Sequence, residues 1–145
     1  MVVTFFGHRD TPANAEKLLE KVLIDLIENH SADTFYVGNQ GNFDYMVKQT
    51  LKRLKMKYKI NYTVVLAYKP KNQYIVVGDS DAIYPKFLEN THPKYAIFKR
   101  NMAMLKKADV VVTYVERTFG GANKFKELAQ VMGKQVINLS DFKSV

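Results

Sequence analysis

Five short β-rich runs alternate with four segments of helical periodicity along this chain, an order that all-α and all-β folds do not produce. The runs cover residues 2–6, 34–37, 62–68, 109–115 and 135–139. Residues 64–67 and 110–112 are continuously apolar, which is typical of strands covered on both faces. Strands that alternate with helices imply right-handed crossovers and a parallel sheet between two helical layers. The sequence therefore predicts a three-layer α/β domain with a mainly parallel five-stranded sheet.

Each helical segment carries an apolar stripe. The clearest stripe consists of Phe43, Val47, Leu51 and Leu54. Spacings of three and four residues place such side chains on one face of a helix, where they can cover the sheet. Thr11 and Pro12 suit the N-cap and the first position of the first helix, and Gly133 suits the end of the fourth.

The length of 145 residues and the 47% share of hydrophobic residues fit one domain over residues 1–145 and exclude a disordered chain. Cysteine is absent, which excludes disulfides and a cysteine nucleophile. His8, His30 and His92 show no ligand spacing, so we predict neither a metal nor a cofactor. Because the chain has no signal peptide and no apolar run of about 18–20 residues, we expect a cytoplasmic protein without membrane contact.

Residues 69–93 interrupt the regular alternation. Loops of this length are uncommon in compact domains and often carry function. One interpretation is a lid over a ligand site. The other is a surface excursion with a short hairpin at residues 74–77 and one helical turn at residues 85–89.

Glycine-containing loops follow the first, second and fourth predicted strands and lead into helices. Glycine lets a backbone approach an anion closely, and a helix N-terminus presents unpaired N–H groups. Because the carboxyl ends of parallel strands share one edge of a sheet, we predict a site there for a phosphate-bearing ligand. Its predicted residues are Gly7, His8, Arg9, Gly38, Asn39, Gln40, Gly41, Asn42, Asp44, Gly120, Gly121, Ala122 and Asn123. Each loop taken alone also fits an ordinary βα turn.

Two aromatic and two charged residues extend this prediction. Tyr68 and Tyr84 border the third strand end and the long loop, where a base could stack. Arg100 falls on an apolar side of its helix, and Glu127 falls within two turns of Gly120. Alternatively, Arg100 is a snorkelling side chain with a free head, and Glu127 is a partner of the helix dipole.

The chain carries 22 Lys and Arg against 14 Asp and Glu, a formal net charge of +8, which fits an anionic ligand. One cluster, the basic stretch, consists of Lys48, Lys52, Arg53, Lys55, Lys57 and Lys59. Cations at the end of a helix complement its dipole and solvate the surface, which is the interpretation that we favour. The alternative is a nucleic-acid patch with Tyr45 and Tyr58 nearby.

Several segments resemble the Lonely Guy (LOG), or "lysine decarboxylase-like", proteins of the SLOG superfamily. Residues 119–127 resemble the family's PGGxGTxxE motif, and residues 100–104 resemble its RKxxM motif. The glycines that end residues 5–7 and 36–38 resemble the ends of its first and second strands. The superfamily also includes the DNA-processing protein Smf/DprA. The resemblance implies a Rossmann-like fold that binds nucleotides or nucleotide-derived ligands.

LOG enzymes hydrolyse the N-glycosidic bond of nucleoside 5′-monophosphates with an arginine and a glutamate. Carried over by motif, these residues are Arg100 and Glu127. A carboxylate stabilises the positive charge that develops on the sugar, and a guanidinium holds phosphate oxygens. Phe119 replaces the family's proline, and Asn123-Lys124 replaces its Gly-Thr, so the resemblance supports the fold and a ligand site more strongly than hydrolysis.

We therefore expect a SLOG-type protein that binds a nucleotide-like small molecule, with phosphoribohydrolase activity left open. One alternative is a non-catalytic nucleotide sensor. Another is a DNA-processing accessory related to Smf/DprA, for which nucleic acid is the less favoured partner. A homodimer is also expected.

Overall fold

Six parallel strands form one sheet in the computed structural model, which describes residues 1–69 and 82–142. The strands are β1 (Val2–Gly7), β2 (Thr34–Val37), β3 (Asn61–Val65), β4 (Ala82–Ile83), β5 (Val110–Tyr114) and β6 (Gln135–Asn138). Their order across the sheet is β4-β3-β2-β1-β5-β6. This arrangement confirms the predicted α/β class and parallel sheet.

Four α-helices of the described residues cover the two faces of the sheet. They are α1 (Ala15–His30), α2 (Gly41–Lys55), α3 (Pro93–Lys107) and α4 (Gly121–Val131). Side chains alternate along β1, so that Val3 and Phe5 pack in the core with α1 and α2, whereas Phe6 packs with α3 and α4. Phe6 stacks on Phe125 with ring centroids 5.0 Å apart. The result is the expected three-layer sandwich.

The direction of chain progression across the sheet reverses at β1. From β1 the chain proceeds outward to β2, β3 and β4, and it then returns to place β5 and β6 on the other side of β1. β1 and β5 pair directly, with Phe5 opposite Val112 and Gly7 opposite Tyr114. In such sheets, a crevice opens at the carboxyl ends of the two strands where the order reverses. The fold therefore places the loops that follow β1 and β5 beside each other.

Strand ends and one helix start differ from the sequence predictions. β3 ends at Val65 instead of at residue 68, and β4 was not predicted because two residues are too short to form a pattern. The start of α1 at Thr11-Pro12 is wrong, since α1 begins at Ala15. The Thr11 hydroxyl is buried and donates to the His8 carbonyl oxygen at 2.6 Å, so it closes a turn instead of capping the helix.

Part of the 69–93 segment lies in the described residues. A 3₁₀ helix (Lys86–Asn90) occupies the position of the predicted helical turn, and α3 follows it. Pro93 is the first residue of α3, where its missing N–H costs no hydrogen bond, and His92 Nδ1 accepts from the Lys94 N–H at 3.1 Å. The predicted hairpin at residues 74–77 lies outside the described residues. No helix within residues 1–69 and 82–142 is both long and apolar enough to cross a membrane.

Candidate functional site

A cavity of about 510 Å³ opens at the carboxyl ends of β1 and β5, which we call the rim cavity. Predicted site residues that line it are Gly7, His8, Arg9, Gln40, Asp44, Arg100, Gly120, Gly121 and Ala122. The cavity is also lined by residues that no sequence pattern indicated: Phe5, Phe6, Asp10, Ile97, Asn101, Met104, Arg117 and Phe119. Its volume is typical of small-molecule sites. The structure thus brings much of the predicted site together at the predicted edge of the sheet.

Arg100 forms one wall of the rim cavity with a guanidinium that is almost fully buried. Its side chain is 2% exposed, so the interpretation as a snorkelling residue with a free head is wrong. Nη1 donates to the Val65 carbonyl oxygen at 3.0 Å, Nη2 to Gln40 Oε1 at 2.6 Å, and Nε to Asn101 Oδ1 at 2.7 Å. Arg100 therefore ties the end of β3, the loop after β2 and α3 to one another.

Gly38 makes room for Arg100 and for the partly buried Asp44. A Cβ at Gly38 would lie 2.8 Å from Asp44 Oδ2 and 3.0 Å from Arg100 Cζ. Asp44 Oδ2 also accepts the Gln40 N–H at 2.9 Å. Burial raises the pKa of Asp44 to about 6, although the hydrogen bond from Gln40 and the charge of Arg100 oppose this shift.

The raised pKa of Asp44 predicts a pH-dependent stability. A carboxyl whose pKa rises on folding, here from 3.8 to about 6, stabilises the fold below the lower value, and this contribution is lost as the pH rises through the higher value. Between about pH 4 and about pH 7.5, the wild type should lose about 2–3 kcal/mol more unfolding free energy than Asp44→Asn. Urea denaturation at both pH values measures this difference, and equal pH dependence in the two proteins would contradict it.

His8 lies under the loop that follows β5. The residue is 7% exposed, and its Nε2 accepts the backbone N–H groups of Glu116 at 2.9 Å and Arg117 at 3.4 Å. Burial and then the charge of Arg117 lower the pKa of His8, which favours the neutral ring that this acceptor role requires. We predicted that His8 would meet a phosphate, but in this structure its Nε2 instead joins the loops after β1 and β5.

The mouth of the rim cavity carries an ion pair between these same two loops. Arg117 Nη2 donates to Asp10 Oδ2, and both residues line the cavity. This hydrogen bond lowers the pKa of Asp10. Neither residue type nor spacing indicates from the sequence that Asp10 and Arg117 pair across 107 positions.

The glycines at the rim differ in what surrounds them. A Cβ at Gly7 would lie 2.2 Å from Phe43 Cγ, and one at Gly41 would lie 2.6 Å from Arg9 Cα. These glycines therefore make room for the protein's own atoms. At Gly120 and Gly121 nothing lies within 4 Å of such a Cβ, and Gly120 has a φ of +93°. The start of α4 is thus open on the side where a Cβ would lie, and Gly120, Gly121 and Ala122 line the cavity there.

Other predicted residues do not line the rim cavity. Glu127 is exposed and accepts a hydrogen bond from Asn123 Nδ2 at 3.2 Å. The Tyr68 hydroxyl donates to the Pro93 carbonyl oxygen at 3.2 Å, and Tyr84 packs partly buried against the core. Gly38, Asn39, Gly41 and Asn42 lie around the α2 N-terminus without lining the cavity. Arg100 and Glu127 are therefore not assembled as a pair facing one cavity.

The residues of the basic stretch do not line the rim cavity, although Lys48 at its start lies close enough to the cavity residue Asp44 for its charge to act on that carboxyl. Arg53 Nη2 pairs with Glu16 Oε1 at 2.9 Å, and the Lys57 ammonium lies over the Tyr58 ring. Among residues 1–69 and 82–142, no group of three His, Cys, Asp or Glu side chains is placed to hold a metal ion.

The strand order and the cavity together define a Rossmann-like α/β protein with a candidate ligand site where the strand order reverses. Solved structures with a similar fold include DNA processing protein A (DprA) from Streptococcus pneumoniae, with a TM-score of 0.69, and DprA from Helicobacter pylori, with a TM-score of 0.67. Each is 17% identical to this chain. The likeness confirms the fold that the SLOG resemblance implied.

The likeness covers 92% of this chain and 48% of the S. pneumoniae protein, and 94% of this chain and 63% of the H. pylori protein. The chain thus spans between about half and two thirds of their lengths. The H. pylori structure is described as showing a single-stranded DNA binding mode of that protein. No family model matches the sequence, and no curated protein matches it.

Proposed function

We propose that this chain binds single-stranded DNA across the mouth of the rim cavity. Phosphates would be held by Arg9, Arg117 and the N-terminus of α4, and a base would stack on Phe119. This proposal follows the DNA-processing alternative of the sequence analysis instead of nucleotide hydrolysis.

The convergence of these groups on one cavity is the observation that carries the proposal. Arg9 and Arg117 line the cavity from different loops, and the open N-terminus of α4 adds N–H groups and the positive end of a helix dipole. Single-stranded nucleic acids bind to grooves that combine cations with exposed aromatic rings. Phe119 lines the cavity and is 70% exposed, so the face of its ring is accessible to a base.

Three further observations support DNA over the hydrolysis of a nucleoside monophosphate. The net charge of +8 suits a polyanion. Glu127, the carboxylate that the LOG resemblance assigns to catalysis, does not line the cavity that Arg100 lines. The DprA structures have the same fold, and the H. pylori protein binds single-stranded DNA according to its description.

The experiment is fluorescence anisotropy with a labelled oligothymidylate of about 16 nucleotides at several salt concentrations. We expect Arg9→Ala and Arg117→Ala each to weaken binding and to reduce the salt slope by about 0.7, because each removes one phosphate contact. Phe119→Ala should weaken binding about tenfold and leave the salt slope unchanged, because it removes stacking instead of charge.

Matched controls come from the same chain. Arg53→Ala removes the same charge from the basic stretch, and Phe87→Ala removes a ring that is 50% exposed but does not line the rim cavity. Both should bind like the wild type. If Arg53→Ala loses more affinity for the oligothymidylate than Arg9→Ala does, the DNA binds on the basic stretch. If the wild type shows no salt-dependent binding, the proposal is overturned.

A free nucleotide is the second candidate ligand, because the cavity volume of about 510 Å³ suits a small molecule. A free nucleotide is the better candidate if nucleoside monophosphates displace the labelled oligonucleotide at concentrations where inorganic phosphate does not.

A further inference from the structure

We infer that Asp10 is a specificity-determining residue of the rim cavity: its carboxylate occupies Arg117, and a ligand phosphate must displace it. The inference rests on the proposed function, since it concerns how that same site selects its anion. It assigns Asp10 the role of an internal competitor that disfavours small anions.

The Asp10–Arg117 pair lies in the lining of the rim cavity, and both side chains are accessible to solvent. Arg117 extends from the loop after β5 and Asp10 from the loop after β1, and both residues line the cavity mouth. Gly120 and Gly121 line the same cavity. A phosphate that contacts both Arg117 and the N-terminus of α4 therefore meets the Asp10 carboxylate on the same guanidinium.

The backbone beneath both side chains is fixed. His8 Nε2 accepts the N–H of Arg117, and the His8 carbonyl accepts the N–H and the hydroxyl of Thr11. The side chains themselves remain accessible, with Arg117 41% and Asp10 67% exposed. A ligand can thus separate the pair by turning two side chains, without moving the loops.

An exposed ion pair such as Asp10–Arg117 is weak enough for a ligand phosphate to separate it. Such pairs contribute about 0–1 kcal/mol, so they open readily when a better partner arrives. A chloride or carboxylate offers Arg117 little more than Asp10 already does. A phosphate gains more, because it can accept several hydrogen bonds from the guanidinium and from the N–H groups of α4 together. Arg117 also lowers the pKa of Asp10, which keeps the competing carboxylate ionised at neutral pH.

The test is oligothymidylate binding by Asp10→Asn, Arg117→Ala and the double variant. We expect Asp10→Asn to bind about fivefold more tightly than the wild type, because Arg117 is no longer occupied. In the Arg117→Ala background, the same change at Asp10 should have less than about a twofold effect. Asp25→Asn is the control, since it removes an equal charge from an exposed position that does not line the cavity.

Unchanged binding by Asp10→Asn, or a gain that persists without Arg117, would overturn the inference while leaving DNA binding intact. A wild type that binds no oligothymidylate would overturn the proposed function instead. In that event thermal shift with inorganic pyrophosphate decides the role of Asp10, because at one ligand concentration the variant that binds pyrophosphate more tightly is stabilised more. Equal shifts, or none, in wild type and Asp10→Asn would then refute that role.

Discussion

Replacing Arg100 by methionine should destabilise the protein by about 3–5 kcal/mol. The substitution removes a buried guanidinium that contacts three side-chain or backbone acceptors and lies beside Asp44. The Val65 carbonyl and the Gln40 amide would lose their donor, and the Asp44 carboxylate would lose its nearby positive charge. Removing a buried charged group costs this much because its hydrogen-bond acceptors lose their donor and the nearby carboxylate loses a compensating charge.

Chemical denaturation monitored by circular dichroism measures this loss. Arg53→Met is the matched control. It should cost less than about 1 kcal/mol, because Arg53 forms exposed ion pairs with Glu16 and Glu20 and one long hydrogen bond of 3.5 Å to the Thr50 hydroxyl. Adding Asp44→Asn to Arg100→Met should recover part of the loss, since the uncompensated carboxylate is then gone. A loss below about 1 kcal/mol in Arg100→Met itself would show that the guanidinium contributes little to the fold.

Gly7→Ala should destabilise the protein by about 3 kcal/mol, because the new methyl group has no space. A Cβ at Gly7 would lie 2.2 Å from Cγ and 2.4 Å from Cδ2 of Phe43, whose side chain is fully buried. Overpacking of a close-packed core forces side chains from their rotamers or shifts the backbone. Here α2 would have to move away from the end of β1.

The compensating substitution Phe43→Leu should recover part of the stability in the Gly7→Ala background, because it removes the ring that the methyl group meets. Gly121→Ala is the control, since nothing lies within 4 Å of a Cβ at that position. Its unfolding free energy should remain within about 0.5 kcal/mol of the wild type. Equal losses in Gly7→Ala and Gly121→Ala would contradict the steric explanation.

The fold was predictable because its signals are local. The alternation of apolar runs and stripes reports which faces are buried, and the observed β1, β2, β5 and β6 differ from the predicted runs by no more than one residue at either end. The two-residue strand β4 and the end of β3 were not predicted. Pairing with a neighbouring strand determines where these strands form and end, and the residue pattern of the segment itself does not show it.

The candidate site was predictable only in part. The position of Arg100 on an apolar side of α3 indicated an unusual arginine, and the structure buries it. The roles of His8 and Glu127 could not be obtained in this way, because they depend on where a side chain points after distant loops come together. The single domain over residues 1–145 and the homodimer stay predictions.

The sequence by itself determined the order of strands and helices, and hence the edge of the sheet at which several loops meet. It did so because hydrophobic periodicity and chain connectivity are properties of the sequence. Only the tertiary structure decided which glycines are open to a ligand. Gly7 and Gly41 face the protein's own atoms, whereas Gly120 and Gly121 face free space. Spacing cannot distinguish these cases, because the atoms that fill the space come from residues elsewhere in the chain.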